Sequence, residues 1–413
     1  MRASHLIALL CIAALALAGV AAIYSAGYVS SDYPVRPNWL RQCAFLGAGA
    51  LVAAFFARLD CHRRRWRLLV LCCYGASVLL LVAVLFIGRS IGGARRWLAV
   101  GPLLLQPAEF AKVFTLLAGA VVLSGELFRS RLCELAIALA VFAVPMLLIA
   151  REPSYGNAAS LLPGMAVMIG LRFLPGWLWK AALVVLLAAF FAGIGALHYL
   201  RSIPADDAAT AASRTAGAPS DGILHGYHLR RLNSYLSARG GWNEQQSLMT
   251  VAGGGLLGKG YLKGTMKSLG FLPRTVAPTD FIFAVIAEEG GFLGGVLPVV
   301  TLYGVLVAVL LHWASRAASR QDLNLLAGGV SLLMVHICVG IGMTIRMLPV
   351  IGLPLPLLSY GGSFTLSMMI LLGCMMGCDR TPPPDVIPAD RDLPLILRLG
   401  ALFRLRIWRK DPS

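Results

Sequence analysis

Residues 68–87 read LLVLCCYGASVLLLVAVLFI, an apolar run without a charged side chain. A helix of about 20 such residues spans the hydrocarbon core of a bilayer. The run directly follows the basic segment RRRWR at 63–67, and cytoplasmic loops carry an excess of arginine and lysine. Residues 68–87 therefore predict a transmembrane helix that starts on the cytoplasmic side.

The rest of the chain repeats this pattern. Of its 413 residues, 58% are hydrophobic and only 13% are charged, which is too few for the surface of a soluble domain. Apolar runs of roughly spanning length occupy 6–24, 39–57, 68–87, 107–123, 132–149, 158–172, 181–198, 281–311, 324–345 and 364–378. We therefore expect an all-α polytopic membrane protein with about ten transmembrane helices. The first run is longer than the apolar part of a signal peptide, which favours a retained helix.

The distribution of basic residues predicts the orientation. With the N-terminus in the cytoplasm, the loops after the second, fourth, sixth and eighth runs are cytoplasmic, and each carries arginine or lysine. The last outer loop, 347–362, contains no arginine or lysine. This agrees with the positive-inside rule for ten helices with both termini in the cytoplasm, so the net charge of +17 indicates topology and not nucleic-acid binding.

Two polar segments complete the expected organisation. Residues 199–278 form one large extracytoplasmic loop within a transmembrane domain that spans 1–378. The segment 379–413 begins with a proline-rich linker and continues as a basic cytoplasmic tail, either an amphipathic helix on the anionic leaflet or an unstructured chain. The nine cysteines show neither a disulfide framework nor metal-ligand spacing, so we expect them to be small helix- or lipid-facing residues.

The first motif comprises GARRWL at 93–98 and QPAEFAK at 106–112. The proline suits the first turn of a helix, which places Glu109 and Lys112 on one face just inside the bilayer as mutual partners. Such intramembrane charges indicate either a functional site or a structural ion pair. Arg95 and Arg96 stand outside against the charge rule, where they could bind a phosphate or pyrophosphate or else anchor to lipid headgroups.

The second motif is TDFIFAVIAEEGG at 279–291. Thr279 is a favourable N-cap, and Asp280 suits a helix N-terminus. Glu288 and Glu289 are adjacent, so their side chains point about 100° apart and cannot both face one partner. We expect one of them to face a water-filled cavity, where it could also serve as a proton relay.

Two further motifs lie in irregular or glycine-rich chain. GLPLPLLSYGGS at 352–363, which contains Ser359 and Tyr360, breaks the helix before the last span and predicts either the wall of a substrate groove or a re-entrant turn. Gln246 and Ser247 precede GGGLLGKG at 253–260, whose backbone and Lys259 could cradle phosphate, although the Walker spacing for ATP is absent.

The four motifs, taken together and in this order, resemble the FtsW/RodA/SpoVE family, and the resemblance covers nearly the whole chain. It implies a bacterial inner-membrane protein that polymerises lipid II, a disaccharide-pentapeptide on undecaprenyl pyrophosphate, with a class B penicillin-binding protein as partner. The resemblance implies a lipid-pyrophosphate groove formed by Arg95, Arg96, Glu109, Lys112, Gln246, Ser247, Lys259, Asp280, Glu288, Ser359 and Tyr360. It implies no cofactor, and whether a divalent cation takes part stays open because no ligand cluster is visible.

The chain departs from the family at two places. The loop stretch SARGGWNEQQS at 237–247 is shorter and lacks the family's catalytic aspartate, which leaves Glu244 as the nearest candidate for the carboxylate that takes the sugar hydroxyl proton. The stretch EPSYGNA at 152–158 has Ser154 where the family has aspartate. Three hypotheses follow: a polymerase with a relocated carboxylate, a non-catalytic scaffold for a penicillin-binding protein, or a precursor transporter with Glu288 or Glu289 as proton site.

Overall fold

The computed structural model describes residues 3–28, 37–176 and 241–378, with gaps at 60, 62, 92–93, 102, 129 and 274, and the isolated residues 178 and 195. The predicted run 181–198, the first part of the large loop and the tail 379–413 lie outside the described residues. What is described is mostly helical. It consists of the helical elements and strands given below and the turns that join them.

The helices occur in two series. The first comprises α1 (Ala3–Gly27), α2 (Asn38–Arg58), α3 (Arg64–Ile87), α4 (Pro107–Val122), α5 (Arg131–Arg151), α6 (Tyr155–Ala159) and α7 (Leu161–Phe173). The second comprises α8 (Trp242–Gly254), α9 (Thr265–Ser268), α10 (Ile282–Gly290), a π-helical segment (Gly291–Val296), α11 (Leu297–Ala314), α12 (Arg320–Thr344) and α13 (Gly362–Cys378).

Within the described residues, six helices are long and apolar enough to cross a membrane. They are Ala3–Gly27, Asn38–Arg58, Arg64–Ile87, Arg131–Arg151, Ile282–Ala314 and Arg320–Thr344. The prediction of a polytopic helical membrane protein is confirmed, and the number of ten spans stays a prediction. The run 158–172 is divided between α6 and α7, and the long run 281–311 is a 33-residue helix with the π-helical segment inside it.

The expectation of an all-α protein misses a small antiparallel sheet between α3 and α4. Its strands are β1 (Arg89–Ile91), β2 (Ala94–Val100) and β3 (Leu103–Leu105), in the order β1-β2-β3. Arg89 faces Trp97 across one pair, and Leu98 faces Leu105 across the other. Strands of three residues give too short an alternation of polar and apolar residues to be read from the sequence. The sheet places the arginines of the first motif on β2.

Helix α4 is the centre of the described bundle. It contacts α3, α5, α7, α12 and α13, and all its residues except Phe110 are buried. A helix that is apolar on every side is stable only when it is enclosed by other helices. Because α4 also begins with the charged end of the first motif, its burial fixes where those charges lie.

The irregular segment 345–361 joins α12 to α13 and lies against α1. A Cβ atom on Gly19 of α1 would be 2.5 Å from the carbonyl oxygen of Leu357, so only glycine permits this approach. Gln42 of α2 adds a second attachment, since its side chain accepts from Gly361 N at 3.3 Å and donates to Thr365 Oγ1 at 3.0 Å. The helix-breaking motif is therefore enclosed by protein, as irregular backbone at membrane depth requires.

Candidate functional site

Lys112 lies in a buried polar cluster within the helical bundle. Its ammonium nitrogen is 2.9 Å from Glu109 Oε2, and it donates to Asn157 Oδ1 at 2.8 Å. It also lies 3.2 Å from His336 Nε2 and 5.9 Å from the centre of the Phe364 ring. Lys112 is 0% exposed and Glu109 is 2% exposed. The predicted pairing of Glu109 with Lys112 is present. The contacts of Lys112 with Asn157, His336 and Phe364 join α4 to α6, α12 and α13.

The histidine of this cluster is oriented by the irregular segment. His336 Nδ1 lies 3.0 Å from the carbonyl oxygen of Pro354, which can only accept, so Nδ1 carries the proton. Nε2 is then free of a proton and accepts from Lys112. Asn157 and His336 were absent from the sequence-based site. His336 is a polar residue within the apolar run 324–345, and Asn157 directly precedes the run 158–172. Only the fold shows that both contact Lys112.

Arg96 and Arg95 of β2 have different surroundings. Arg96 Nε donates to the carbonyl oxygen of Glu152 at 3.0 Å, and its Nη2 donates to that of Pro153. Arg96 therefore holds the turn between α5 and α6, while Arg95 is exposed. The prediction that both guanidinium groups bind an anion is not tested by these contacts. The turn that Arg96 holds begins the stretch that resembles the family at 152–158.

Glu152 is a carboxyl group in an unusual environment. It is 0% exposed, and neither carboxyl oxygen has a hydrogen-bond partner among the described residues. Burial raises the pKa of Glu152 from 4.5 to about 8, and the positive charge of Arg96 opposes this shift. This carboxyl group directly follows α5. It is mainly protonated near neutral pH, so it is poorly suited to accept a proton from a substrate.

The two glutamates of the second motif form ion pairs with different lysines, although both carboxyl groups lie beside Gly264. Glu288 Oε1 is 2.6 Å from Lys259 Nζ and accepts from the backbone amides of Thr265 and Met266 at 2.8 and 3.0 Å. These amides begin α9, so Glu288 caps that short helix. The expectation that one of the glutamates faces a water-filled cavity receives no support, because Glu288 and Glu289 are 0% and 7% exposed.

Glu289 belongs to a second ion pair that reaches the first helix. Its Oε1 accepts from Ser25 Oγ at 2.6 Å and forms a short ion pair with Lys267. Lys267 also donates to the carbonyl oxygen of Ser25 at 2.8 Å. Burial lowers the pKa of the Lys267 ammonium, and the neighbouring Glu289 opposes that shift. Lys267 was not among the predicted site residues, because it lies in a polar loop and belongs to none of the four motifs.

The glycine-rich segment 253–260 docks on the backbone of α10 and the π-helical segment. Lys259 N and Gly260 N donate to the carbonyl oxygens of Glu288 and Glu289, both at 2.9 Å. Gly258 has φ +77°, and a Cβ there would lie 2.2 Å from Glu289 O. These glycines therefore serve a close backbone contact, while Lys259 keeps 29% of its side chain exposed beside Glu288.

Helix α8 carries the candidate catalytic residue. Glu244, Gln246 and Ser247 all lie on its buried side, with 7%, 5% and 0% exposure. Ser247 Oγ donates to the carbonyl oxygen of Thr344 at the end of α12, at 2.9 Å. The helix also contacts α10, so the three residues share a face that looks toward the bundle.

The Thr-Asp-Phe motif is held by the Ser-Tyr-Gly-Gly turn. Ser359 Oγ donates to Thr279 O at 2.6 Å, and Tyr360 N donates to Pro278 O at 2.8 Å. The prediction of Thr279 as N-cap is wrong. Residues 276–281 form turns first, α10 begins at Ile282, and Thr279 Oγ1 donates to Val276 O at 3.2 Å. Asp280 is partly buried beside this junction.

The structure thus brings the predicted residues together in groups. Glu109 meets Lys112, Lys259 meets Glu288, and the segment that carries Asp280 meets the turn of Ser359 and Tyr360. Such an arrangement can present cations and carboxylates to a pyrophosphate-linked substrate.

Comparison with known proteins agrees with these motifs. The family profile for FtsW/RodA/SpoVE, described as cell cycle protein, matches residues 5–382. The chain is 30% identical over 421 residues to peptidoglycan glycosyltransferase RodA of Treponema pallidum, covering 89% of this chain and 95% of that protein. It is 35% identical over 312 residues to peptidoglycan glycosyltransferase MrdB of Escherichia coli K12, covering 73% of this chain and 75% of that protein.

A solved structure is similar as well. A chain from the work on structural coordination of polymerization and crosslinking by a peptidoglycan synthase complex superposes with a TM-score of 0.67 at 30% identity, and the match covers 90% of this chain and 96% of that one. Sequence profile, curated relatives and fold all agree, and the chain belongs to the FtsW/RodA/SpoVE family.

Proposed function

We propose that this protein is a peptidoglycan glycosyltransferase that polymerises the glycan strand from lipid II, in cell elongation or division. The observation that carries the proposal is the fully buried Lys112 cluster, in a chain similar over 89% of its length to a peptidoglycan glycosyltransferase. A membrane-embedded cation with three polar partners is suited to the anionic part of a lipid-linked substrate.

The proposed reaction joins two sugars and releases a lipid pyrophosphate. The 4-hydroxyl of one sugar attacks the anomeric carbon of the other, and the bond from that carbon to the pyrophosphate oxygen breaks. Cations stabilise the negative charge of the leaving group, and Arg95, Arg96, Lys112 and Lys259 are the proposed donors. Glu109 keeps Lys112 charged in the absence of substrate, while Gln246, Ser247, Asp280, Glu288, Ser359 and Tyr360 are proposed to shape the groove.

A carboxylate must take the proton of the attacking hydroxyl. We assign this role to Glu244, which lies in the first turn of α8 on its buried face. Glu152 is the less suitable carboxyl, since its pKa of about 8 keeps it largely protonated at neutral pH. We assign no metal ion to this proton transfer. A divalent cation bound at the pyrophosphate would act beside the residues proposed to stabilise that group.

The proposed placement is the bacterial inner membrane, with ten transmembrane helices, both termini in the cytoplasm and 199–278 as the outer loop. The positive-inside distribution supports it. A class B penicillin-binding protein is the proposed partner, by analogy with the synthase complex that the chain resembles. The runner-up function is a non-catalytic scaffold for that partner, which the missing loop aspartate favours. The transporter alternative has less support, because Glu288 and Glu289 are both held in ion pairs.

The decisive experiment measures glycan-strand synthesis from labelled lipid II by the purified protein, alone and with its penicillin-binding protein. We expect polymer with the unaltered protein and at least a hundredfold less with Glu244→Ala, since removal of a general base lowers rates by about 10²–10⁴. Gln245→Ala is the matched control, because Gln245 is the exposed neighbour on the same helix. Absence of polymer from folded, partner-bound protein would favour the scaffold, and full activity of Glu244→Ala would remove Glu244 from the base role.

A further inference from the structure

Three metal-ligating side chains meet at one end of the bundle, away from the site described above. They are Cys61, Asp322 and Cys378, and one ligand atom from each lies within 4.8 Å of the others. All three residues are buried, with exposures of 0%, 0% and 3%. They come from three separate places in the chain: the turn between α2 and α3, the first turn of α12 and the last residue of α13.

The surroundings hold these three residues in place. Cys378 Sγ donates to the carbonyl oxygen of Cys374 at 3.4 Å, and Cys61 Sγ donates to that of Leu59 at 3.9 Å. Gln321 donates to the carbonyl oxygen of Cys61 at 2.9 Å, which ties α12 to the turn. Ser319 Oγ accepts from Asp322 N at 3.1 Å, which fixes the start of α12. The cluster is therefore built by tertiary packing and not by one flexible segment.

We propose that this cluster binds a soft divalent metal ion, with Zn²⁺ as the first candidate. Thiolate and carboxylate ligands bind Zn²⁺ at about 2.3 and 2.0–2.2 Å in a tetrahedron, which places the ligand atoms roughly 3.4–3.8 Å apart. This spacing is compatible with ligand atoms that all lie within 4.8 Å of one another. A small inward movement of the side chains would complete three of the four positions. Cys374, one helical turn before Cys378, is fully buried and is a candidate for a fourth ligand.

The chemistry of the site follows from its charges. Binding releases the two thiol protons to solvent, and the resulting two thiolates and one carboxylate leave the metal site with a single negative charge. In the proposed topology this end of the bundle faces the cytoplasm, where thiols stay reduced and available to a metal. The ion would join α2, α3, α12 and α13 as a structural clamp, and this role does not depend on glycosyltransferase activity.

The expectation that the cysteines are plain helix- or lipid-facing residues is thereby revised for Cys61 and Cys378. Their spacing in the sequence, more than 300 residues apart, carries no metal-ligand pattern. Only the packing of the last helix against the second brings them together.

The test measures metal content and metal-dependent stability of the full-length protein purified in detergent under reducing conditions without chelator. We expect close to one zinc per chain, or uptake of one Zn²⁺ or Co²⁺ after addition, with a cobalt–thiolate charge-transfer band. The metal should raise the melting temperature. The double variant Cys61→Ser/Cys378→Ser should lose all three effects, and Asp322→Asn should weaken binding at least tenfold. Cys43→Ser/Cys133→Ser is the control, because both of these thiols are exposed outside the cluster.

A second measurement covers the case in which the double variant does not fold. Because both thiols are buried, alkylation is measured in mild denaturant that opens the fold in part. Under these conditions Zn²⁺ should slow the alkylation of Cys61 and Cys378 of the unaltered protein and leave that of the exposed Cys43 unchanged, as mapped by mass spectrometry. Folded, reduced protein that takes up neither metal, or equal uptake by the double variant, would overturn the proposal. Unchanged alkylation of Cys61 and Cys378 in the presence of Zn²⁺ would do the same.

Discussion

Lys112 places a full positive charge where water has no access. Its stability rests on Glu109 at 2.9 Å and on the acceptors of Asn157 and His336. Breaking a buried ion pair by removing one partner costs about 3–5 kcal/mol, because the other charge is left uncompensated. A loss of function after mutation of Lys112 alone could therefore reflect either the lost cation or a damaged fold.

Two variants separate these effects. Lys112→Met should abolish polymerisation and lower the melting temperature. Lys112→Met/Glu109→Gln removes both charges, so it should recover much of the stability and none of the activity. Lys263→Met serves as control, since Lys263 is exposed. The measurements are polymer yield from lipid II and thermal unfolding in detergent. Polymer from the stable double variant would exclude Lys112 from the site.

Glu152 makes stability depend on pH in a defined direction. Its pKa is raised from 4.5 to about 8 in the folded protein, so the folded state binds this proton more tightly than the unfolded state. Stability therefore falls as the pH rises from about 4.5, and the full penalty for burying the charge is present above about pH 8.

Glu152→Gln removes this titration and should raise the melting temperature. The gain should be small at about pH 5 and largest above about pH 8, where wild-type Glu152 must carry a buried charge. Glu126→Gln is the control, because Glu126 is largely exposed in its pair with Arg67. A gain that does not depend on pH would show that Glu152 is not buried as a carboxylic acid in the folded protein.

At the scale of elements, the glycine-rich segment 253–260 is attached to α10 through backbone contacts that leave no room for a side chain. Gly258→Ala should weaken this attachment. The left-handed conformation at φ +77° costs an alanine about 1–2 kcal/mol, and the clash with Glu289 O adds to it. We expect lower thermal stability, faster proteolysis of the segment 253–268 and reduced polymerisation.

Gly294→Ala tests whether that effect is specific. Gly294 lies in the adjacent π-helical segment, and nothing within 4 Å would meet its added Cβ. It should leave stability and activity nearly unchanged. Equal damage from both substitutions would mean that helix geometry, and not loop docking, is the sensitive feature.

Long apolar elements could be predicted from the sequence, and short or long-range ones could not. The starts of α2, α4 and α5 fall within one residue of the starts of the predicted runs. Apolar runs of about 20 residues form membrane-spanning helices, so their positions can be predicted from the sequence. In the sheet β1-β2-β3, two strands have only three residues, and the seven residues of β2 do not alternate between polar and apolar side chains. The start of α10 shifted past Thr279 because the turn at 276–281 engages Ser359, a contact 80 residues distant.

The same rule applies to the site. The pair of Glu109 and Lys112 was predictable because it is local, at a spacing of three residues on one helix. Glu288 and Glu289 form ion pairs with different lysines, but both carboxyl groups lie beside Gly264, so helix geometry alone does not account for their placement. Asn157, His336 and Lys267 enter the site only through tertiary packing, so no spacing in the sequence indicates them.

At the scale of the whole molecule, the orientation in the membrane decides which face meets the substrate. A reporter fused after Ser413 should report the cytoplasm, and one inserted near Ser220 should report the periplasm. Both positions lie outside the described residues, so the expectation rests on the distribution of arginine and lysine. The reverse pattern would place the proposed site on the wrong side of the membrane for an extracytoplasmic reaction.

The contact between Gly19 and Leu357 has a consequence for biosynthesis. The first helix enters the membrane early, but the segment that packs on it is translated about 340 residues later, tens of seconds at typical bacterial elongation rates. The second helix precedes its partner α13 by almost as many residues. Until then α1 can pack on α2 and α11, but the faces that contact the segment 345–361 and α13 stay uncovered. A premature stop before the segment 345–361 would leave both faces permanently without these partners, so the two interfaces are completed only when translation is nearly finished.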